Sequence, residues 1–96
     1  PYSIRIANTN SLTDAKKYTS SYIRQGLNDV FVTVEFTEPA SKRYIVCYGN
    51  YANESDAEQK SVELQFLGFE GDFTIVNLPD INSTKLFLYT VNLSGL

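Results

Sequence analysis

The sequence predicts a small α+β domain made of two consecutive β-α-β units, followed by one more strand. The chain has 96 residues, which suits one domain with a single core. Shifting it by 42 residues aligns residues 2–35 with residues 44–77 without a gap. Identical residues then coincide where elements begin, turn or end: Tyr2 with Tyr44, Asn8 with Asn50, Asp14 with Asp56, Ala15 with Ala57 and Gly26 with Gly68. This internal repeat indicates a structural duplication.

The first copy has the pattern of a strand, a helix and a second strand. Residues 2–6, YSIRI, alternate between apolar and polar side chains, as a half-buried strand does. Ser11 is the predicted N-cap of the helix, Asp14 favours its first turn, and Gly26 suits its left-handed C-terminal position. Residues 30–36, VFVTVEF, form the second strand. The predicted inward stripe of the helix is Ala15, Tyr18, Thr19, Tyr22 and Ile23.

The second copy repeats this pattern. Residues 43–48 predict the third strand, with a turn at Gly49 and Asn50 after it. Asn53 is the predicted N-cap, and residues 72–78 predict the fourth strand. The loop 37–42 joins the two copies as a hairpin. The predicted inward stripe of this helix is Ala57, Ser61, Leu64 and Leu67.

Two tandem β-α-β units predict the ferredoxin-like topology, β-α-β-β-α-β. Right-handed crossovers place both helices on one face of a four-stranded antiparallel sheet of order 4-1-3-2, and the other face is expected to be open. A fifth strand is predicted within residues 85–93, either paired with the fourth strand or lying over part of the open face. We therefore expect a domain over residues 1–78 and a C-terminal extension over residues 79–96.

Composition argues against several classes of function. The chain contains no His and one Cys, Cys47, so the common zinc sites and the His-dependent nucleophiles are not expected, and neither is a metal or cofactor. The net charge is −3, whereas nucleic-acid-binding proteins normally have a basic surface, so nucleic-acid binding is not expected. No apolar run reaches the roughly 18 residues that suggest a membrane span. Because the chain opens on Pro1, a fragment or processed chain is expected.

Both copies resemble the half-repeat of SPOR domains, which occur in bacterial cell-envelope proteins. The resemblance in the second copy lies in Tyr44, Val46, Gly49, Tyr51 and Ala57. The first copy matches through Tyr2, Ile4, Ile6, Ser11 and Ala15. The chain departs from the family pattern where Arg5 replaces a usual Gln, Ala7 a Gly, and Thr9 an aromatic residue; Ile45 and Cys47 replace usual polar residues.

The resemblance implies non-catalytic binding of peptidoglycan glycan strands, with a preference for strands that lack stem peptides. It also implies recruitment to the cell wall or septum, in the periplasm or envelope, as part of a larger exported or membrane-anchored protein. The family binds through the open sheet face and the adjoining start of the first helix. We expect the glycan-binding residues to be Arg5, Asn8, Thr9, Ser11, Tyr51 and Asn53. A monomer or weak dimer is expected.

Two other readings stay open from the residues alone, since one fold serves many functions. In the first, the domain mediates protein–protein interaction or regulation, with Ile45, Cys47 and the apolar tail strand covering the sheet or joining a partner by edge addition. The second is RNA binding, which requires aromatic residues on the central strands; Ser3, Arg5, Ile45 and Cys47 stand there instead. For Cys47, a small apolar filler is favoured over a nucleophile.

Overall fold

The computed structural model describes residues 1–37, 41–78 and 87–90. Within these ranges the predicted order of elements is confirmed. Five strands and two helices follow one another as β1 Tyr2–Thr9, α1 Leu12–Arg24, β2 Val30–Thr37, β3 Ser41–Tyr51, α2 Glu54–Phe66, β4 Thr74–Asn77 and β5 Phe87–Thr90. The central strands β1 and β3 are longer than their apolar patterns predict. Strand β1 continues to Thr9, and β3 begins two residues earlier than predicted and continues to Tyr51.

The strands form one antiparallel sheet of order β4-β1-β3-β2-β5. The order predicted for the first four strands is confirmed. The predicted pairing of the fifth strand with the fourth is wrong, since β5 pairs antiparallel with β2, and Phe31 lies opposite Thr90. The alternative, that this segment lies over part of the open face, involves residues outside the described ranges. The hydrogen-bonding edge of β2 is thus satisfied within the chain, and β5 widens the sheet there. The other predicted residues of this strand lie outside the described ranges.

Both helices begin at the predicted caps. The Ser11 hydroxyl accepts a hydrogen bond from the Asp14 backbone N–H at 3.2 Å, and the Asn53 carboxamide oxygen accepts one from the Asp56 N–H at 3.0 Å. Each cap satisfies a backbone donor that the first turn of the helix leaves unpaired. The left-handed conformation expected for Gly26 is confirmed by its φ of 105°.

The core lies between the helices and one face of the sheet. It contains the buried residues Ile4, Ile6, Ala15, Tyr22, Leu27, Val30, Val32, Val34, Tyr44, Val46, Ala57 and Leu64. The inward orientation predicted for Tyr18 and Leu67 is wrong, since both side chains are exposed. Leu67 already caps the C-terminus of α2, and the chain turns away there. Tyr22 is held by its hydroxyl, which donates to the Glu70 carbonyl oxygen.

Two irregularities interrupt the pairing of β1 with β3. In the first, Arg5 lies opposite Cys47 and Asn8 opposite Ile45, so Ile6 and Ala7 together oppose Val46. This is a β-bulge, with one extra residue in β1. In the second, β3 carries one extra residue, since Gly49 and Asn50 lie between Tyr48 and Tyr51 where β1 has only Ser3; the φ of Gly49 is 80°. The turn predicted at Gly49 and Asn50 is therefore a bulge inside a continuing strand.

Among the described residues, neither helix is long and apolar enough to cross a membrane.

Candidate functional site

The distal face, defined here as the sheet face turned away from the helices, is closed at its centre. Ser3, Thr33, Ile45 and Cys47 lie on this face and are between 0% and 1% exposed. The prediction of an open face is therefore wrong at this point, since a ligand has no access to these side chains. Any ligand of the distal face has to bind the polar residues around the buried centre.

The bulge in β1 brings polar residues together on the distal face. Simple alternation would place Asn8 beside Ile4 and Ile6, facing the helices. The extra residue reverses this alternation, and Asn8 instead faces the same side as Arg5. From β3, the Arg43 guanidinium donates a hydrogen bond to the Asn8 carboxamide oxygen. Arg5, Asn8 and Arg43, all partly exposed, are called here the distal polar row.

The predicted orientation of Arg5 is confirmed, but its charge is already matched inside the chain. Its Nε lies 2.7 Å from Asp72 Oδ2, and its Nη2 is 3.3 Å from Thr74 Oγ1. The Asp72 backbone N–H donates to the Ile6 carbonyl oxygen at 2.9 Å. Gly71 permits this close approach, because a side chain there would have its Cβ 2.7 Å from the same carbonyl oxygen.

The ion pair also affects the acidity of Asp72. Burial by itself would raise the pKa of this carboxyl, while hydrogen bonds from Arg5 and Thr74, together with the positive charge of Arg5, lower it. The net effect is a pKa below the usual value. Asp72 thus stays ionised next to Arg5 and competes with any anionic ligand for that guanidinium.

Thr9 and Ser11 lie where β1 gives way to α1, next to the distal polar row in sequence. Thr9 pairs opposite Tyr44 and accepts a hydrogen bond from the Ser11 backbone N–H at 3.2 Å. Ser11 caps the helix as described above. Both hydroxyls therefore have local structural partners, and a hydroxyl oxygen used in this way still carries its own hydrogen for a ligand.

Tyr51 and Asn53 lie at the opposite end of the sheet. Tyr51 is opposite Tyr2 in the β1–β3 pairing, whereas Thr9 is opposite Tyr44. The length of β1 from Tyr2 to Thr9 separates the two ends, which is roughly 23 Å. The six predicted binding residues consequently form two separate groups. Arg5 and Asn8 lie on the distal face, with Thr9 and Ser11 next to them in sequence, whereas Tyr51 and Asn53 lie at the other end of the sheet, on the side of α2.

A shallow groove of about 480 Å³ borders this second group. Its lining residues are Tyr51, Asp56, Gln59, Lys60 and Glu63. The Lys60 ammonium is 3.1 Å from Glu63. Burial raises the pKa of the Tyr51 hydroxyl. The Tyr51 ring packs against Gly49, where an added Cβ would lie 2.5 Å from a ring carbon. Tyr51 therefore supports the bulge in β3, and part of its ring borders the groove.

The structure gives Cys47 the properties of a core residue. The side chain is inaccessible, and burial raises the pKa of its thiol to about 12, although the Ser3 hydroxyl and the Arg5 charge oppose the shift. A thiol of this kind is not a thiolate at neutral pH. The described residues also contain no group of three or more metal-ligating side chains.

Sequence reasoning missed two residues of the site, Arg43 and Asp72. The predicted sheet order placed both the third and the fourth strand beside the first. Contacts of Arg43 with Asn8 and of Asp72 with Arg5 were therefore possible. Identifying them requires the register of each strand pair, which the bulge at Ile6 and Ala7 changes. No residue in the sequence marks that bulge.

The comparisons with known proteins agree with this structure. The family model for the SPOR domain matches residues 1–74, which covers both β-α-β units as far as the start of β4. Neither the search of curated proteins nor the search of solved structures found a match. The matched segment contains the fold, the distal polar row and Asp72. The chain thus belongs to the SPOR family, whose domains are non-catalytic modules that bind peptidoglycan in the cell envelope.

Proposed function

We propose that this domain binds peptidoglycan glycan strands that lack stem peptides, using the distal polar row and the adjoining start of α1. The observation that carries the proposal is the placement of Arg43 beside Asn8 on the distal face, in a chain that belongs to a peptidoglycan-binding family. The buried centre of this face directs the ligand to the polar residues at its border.

Arg43 is the better candidate of the two arginines for an anionic ligand. Arg5 already forms an ion pair with Asp72, whereas the Arg43 guanidinium donates to the neutral carboxamide of Asn8. Glu35 lies opposite Arg43 in the β2–β3 pairing, but within residues 1–37 and 41–78 no carboxylate reaches ion-pair distance from the Arg43 guanidinium. Because a guanidinium has five N–H donors, the bond to Asn8 uses one of them, and the others suit a bidentate carboxylate.

The chemistry of the glycan explains the preference for strands without stem peptides. In an intact strand, the lactyl group of each muramic acid is joined to the peptide through a neutral amide. Removing the peptide leaves a lactyl carboxylate, which is an anion of the type that Arg43 binds best. Asn8, Thr9 and Ser11 supply hydrogen-bonding groups of the kind that recognise sugar hydroxyls and acetamides.

Tyr51 and Asn53 serve as a second contact region for a longer strand. They lie roughly 23 Å from Thr9 along the sheet and on the side of α2, so an oligosaccharide has to be long enough to pass around the end of the strands to contact both groups. The ring of Tyr51 offers an apolar surface for a sugar, and its hydroxyl offers a hydrogen bond. The binding of short glycans should therefore depend on Arg43 alone, and only the binding of long glycans should also depend on Tyr51.

In the cell, this binding recruits a larger exported or membrane-anchored protein to the wall or septum from the periplasmic side. Residues 1–78 form the binding domain, and residues 79–96 are a C-terminal extension whose strand β5 widens the sheet.

Co-sedimentation with purified sacculi tests the proposal. Sacculi treated with amidase, which removes stem peptides, should bring down more of the domain than untreated sacculi. Arg43→Ala should weaken binding to treated sacculi about tenfold, which corresponds to about 1.4 kcal/mol. Arg5→Ala should have a smaller effect, because Asp72 already occupies that guanidinium.

Lys42→Ala is a matched control. It removes the same charge one residue earlier, and the Lys42 ammonium lies over the Tyr44 ring, toward the helix side of the sheet. It should bind like the unchanged domain. Equal sedimentation with treated and untreated sacculi, or equal loss in Arg43→Ala and Lys42→Ala, would refute the proposal.

A further inference from the structure

The outer side of α2 exposes apolar residues. Phe66 is 93% exposed, Leu67 is 67% exposed and Val62 is 64% exposed. Val62 and Phe66 are four residues apart, so they lie next to each other on the helix surface. The buried residues Ala57 and Leu64 mark the opposite side. These three exposed residues are called here the α2 patch.

The helices that cover the sheet carry opposite charges. Helix α2 contains four acidic residues, all exposed, and one basic residue; the acidic ones are Glu54, Asp56, Glu58 and Glu63. Helix α1 contains one acidic residue, Asp14, and three exposed basic residues, Lys16, Lys17 and Arg24. One helix layer thus presents an acidic surface, apolar at the C-terminal end of α2, beside a basic surface. Such a layer is complementary to a second copy of itself.

We infer that the helix layer is the contact surface of a weak symmetric dimer, in which α2 of each copy docks on α1 of the other. Strands β1 and β3 are antiparallel, and each helix runs back along its strand, so α1 and α2 are antiparallel neighbours. A two-fold axis parallel to the helices places α1 of one copy over α2 of the other, twice. In this arrangement the acidic side chains meet basic ones at both contacts, and the α2 patch is covered.

The size of the layer indicates that the dimer is weak. Each helix has 13 residues, about 20 Å in length, and two adjacent helices are roughly 20 Å wide. A contact of this footprint belongs to the small interfaces, below about 1,200 Å² in total. The dimer should therefore form at high local concentration, as on a wall surface, and dissociate on dilution.

The two-fold arrangement has a consequence for glycan binding, and this step rests on the proposed function. The helix layer and the distal face are on opposite sides of the sheet, so a dimer through the helices presents two distal faces outward. The groove beside Tyr51 is lined by α2 and lies next to the dimer contact, so the dimer binds glycan through the distal polar row of each copy. Each copy then binds its own glycan strand, and the pair gains avidity when both are engaged.

Sedimentation-velocity ultracentrifugation without any glycan tests the dimer separately from the proposed function. The domain should change from monomer to dimer between about 10 µM and about 1 mM, and added salt should weaken the dimer. Phe66→Ser should raise the dissociation constant at least about tenfold, since it removes the most exposed apolar anchor. Asn28→Ser, at an exposed position outside both helices, should leave the constant unchanged.

Charge reversal tests the pairing of α1 with α2. Lys17→Glu with Arg24→Glu makes the whole layer acidic, and Glu58→Lys with Glu63→Lys makes it basic. Each double variant alone should stay monomeric at concentrations where the unchanged domain dimerises, and an equimolar mixture should form a heterodimer. Thermal unfolding of each variant checks that it is folded.

A domain that stays monomeric up to about 1 mM would overturn the inference, and so would homodimers of both charge-reversed variants as tight as the original. A monomeric domain that binds a basic peptide at the α2 patch would overturn it too, since it would assign that surface to a different partner. None of these outcomes tests glycan binding, which is measured separately by the sedimentation of Arg43→Ala with sacculi.

Discussion

The guanidinium of Arg43 on β3 donates a hydrogen bond to the carboxamide oxygen of Asn8 on β1. This bond crosses the central strand pair immediately beyond the bulge at Ile6 and Ala7. It holds the arginine against the border of the distal face, beside the start of α1. A preorganised guanidinium loses less side-chain entropy on binding than one that is unrestrained.

Asn8 should therefore act on glycan binding partly through Arg43. We expect Asn8→Ala to weaken sedimentation with amidase-treated sacculi less than Arg43→Ala does. The double variant should lose less binding than the two single losses added together, with a coupling of about 0.5–1.5 kcal/mol. Titration of the four proteins against treated sacculi measures it, and strict additivity would show that the two residues bind independently.

Leu64 in α2 and Leu67 at its C-cap should differ sharply in their effect on stability. Leu64 is 2% exposed in the core, so Leu64→Ala should lower the free energy of unfolding by about 2–5 kcal/mol. Leu67→Ala removes the same atoms from an exposed position and should change it by less than about 0.5 kcal/mol. Urea denaturation of both variants checks this pair. Similar losses would mean that Leu67 is packed in the folded domain.

Replacing Gly49 by a larger residue should destabilise the domain, and more so while Tyr51 is present. Gly49→Ala combines a φ of 80° with a Cβ position 2.5 Å from the Tyr51 ring, so we expect a loss of about 1–3 kcal/mol in the free energy of unfolding. Introducing Gly49→Ala into a Tyr51→Ala background leaves only the backbone strain, and should cost less. Chemical denaturation of the four proteins measures the difference. An equal cost in both backgrounds would argue against the contact.

The Cys47 thiol should react only when the domain unfolds. It is inaccessible, and burial raises its pKa to about 12, so very little thiolate exists at neutral pH. Labelling with a thiol reagent at mildly alkaline pH should be slow in buffer and fast in urea. Rapid labelling of the folded domain would contradict the closed centre of the distal face. Cys47→Ala provides the blank for the assay.

Acid should weaken the contact between β1 and the segment before β4. The pKa of Asp72 in the folded domain lies below its usual value, so this pair stabilises the fold above the unfolded pKa. That stability is lost as the pH falls from about 4 through the folded pKa. Asp72→Asn should therefore show a smaller decrease in unfolding free energy over this range than the unchanged domain. Urea titrations at each pH measure the unfolding free energy of both proteins. If it falls equally with pH in Asp72→Asn and in the unchanged domain, the predicted effect of Asp72 is absent.

Much of the fold could be predicted because its signals are local. Alternating apolar residues around Ile4 and Val46 indicated the central strands, and Ser11 and Asn53 indicated the helix starts. The partner of β5 was not predictable in this way. Both edges of the four-stranded sheet offered unpaired backbone groups, and the apolar pattern of the strand is equally compatible with either edge.

By itself, the sequence determined the two β-α-β units, the four-strand order, the helix caps and the family resemblance, because periodicity and capping act over a few residues. The tertiary structure decided which residues share a surface. A single extra residue at Ile6 and Ala7 moved Asn8 to the distal face, and antiparallel register joined it to Arg43 and joined Arg5 to Asp72. The register is a property of two strands together, and one inserted residue reverses every side chain beyond it.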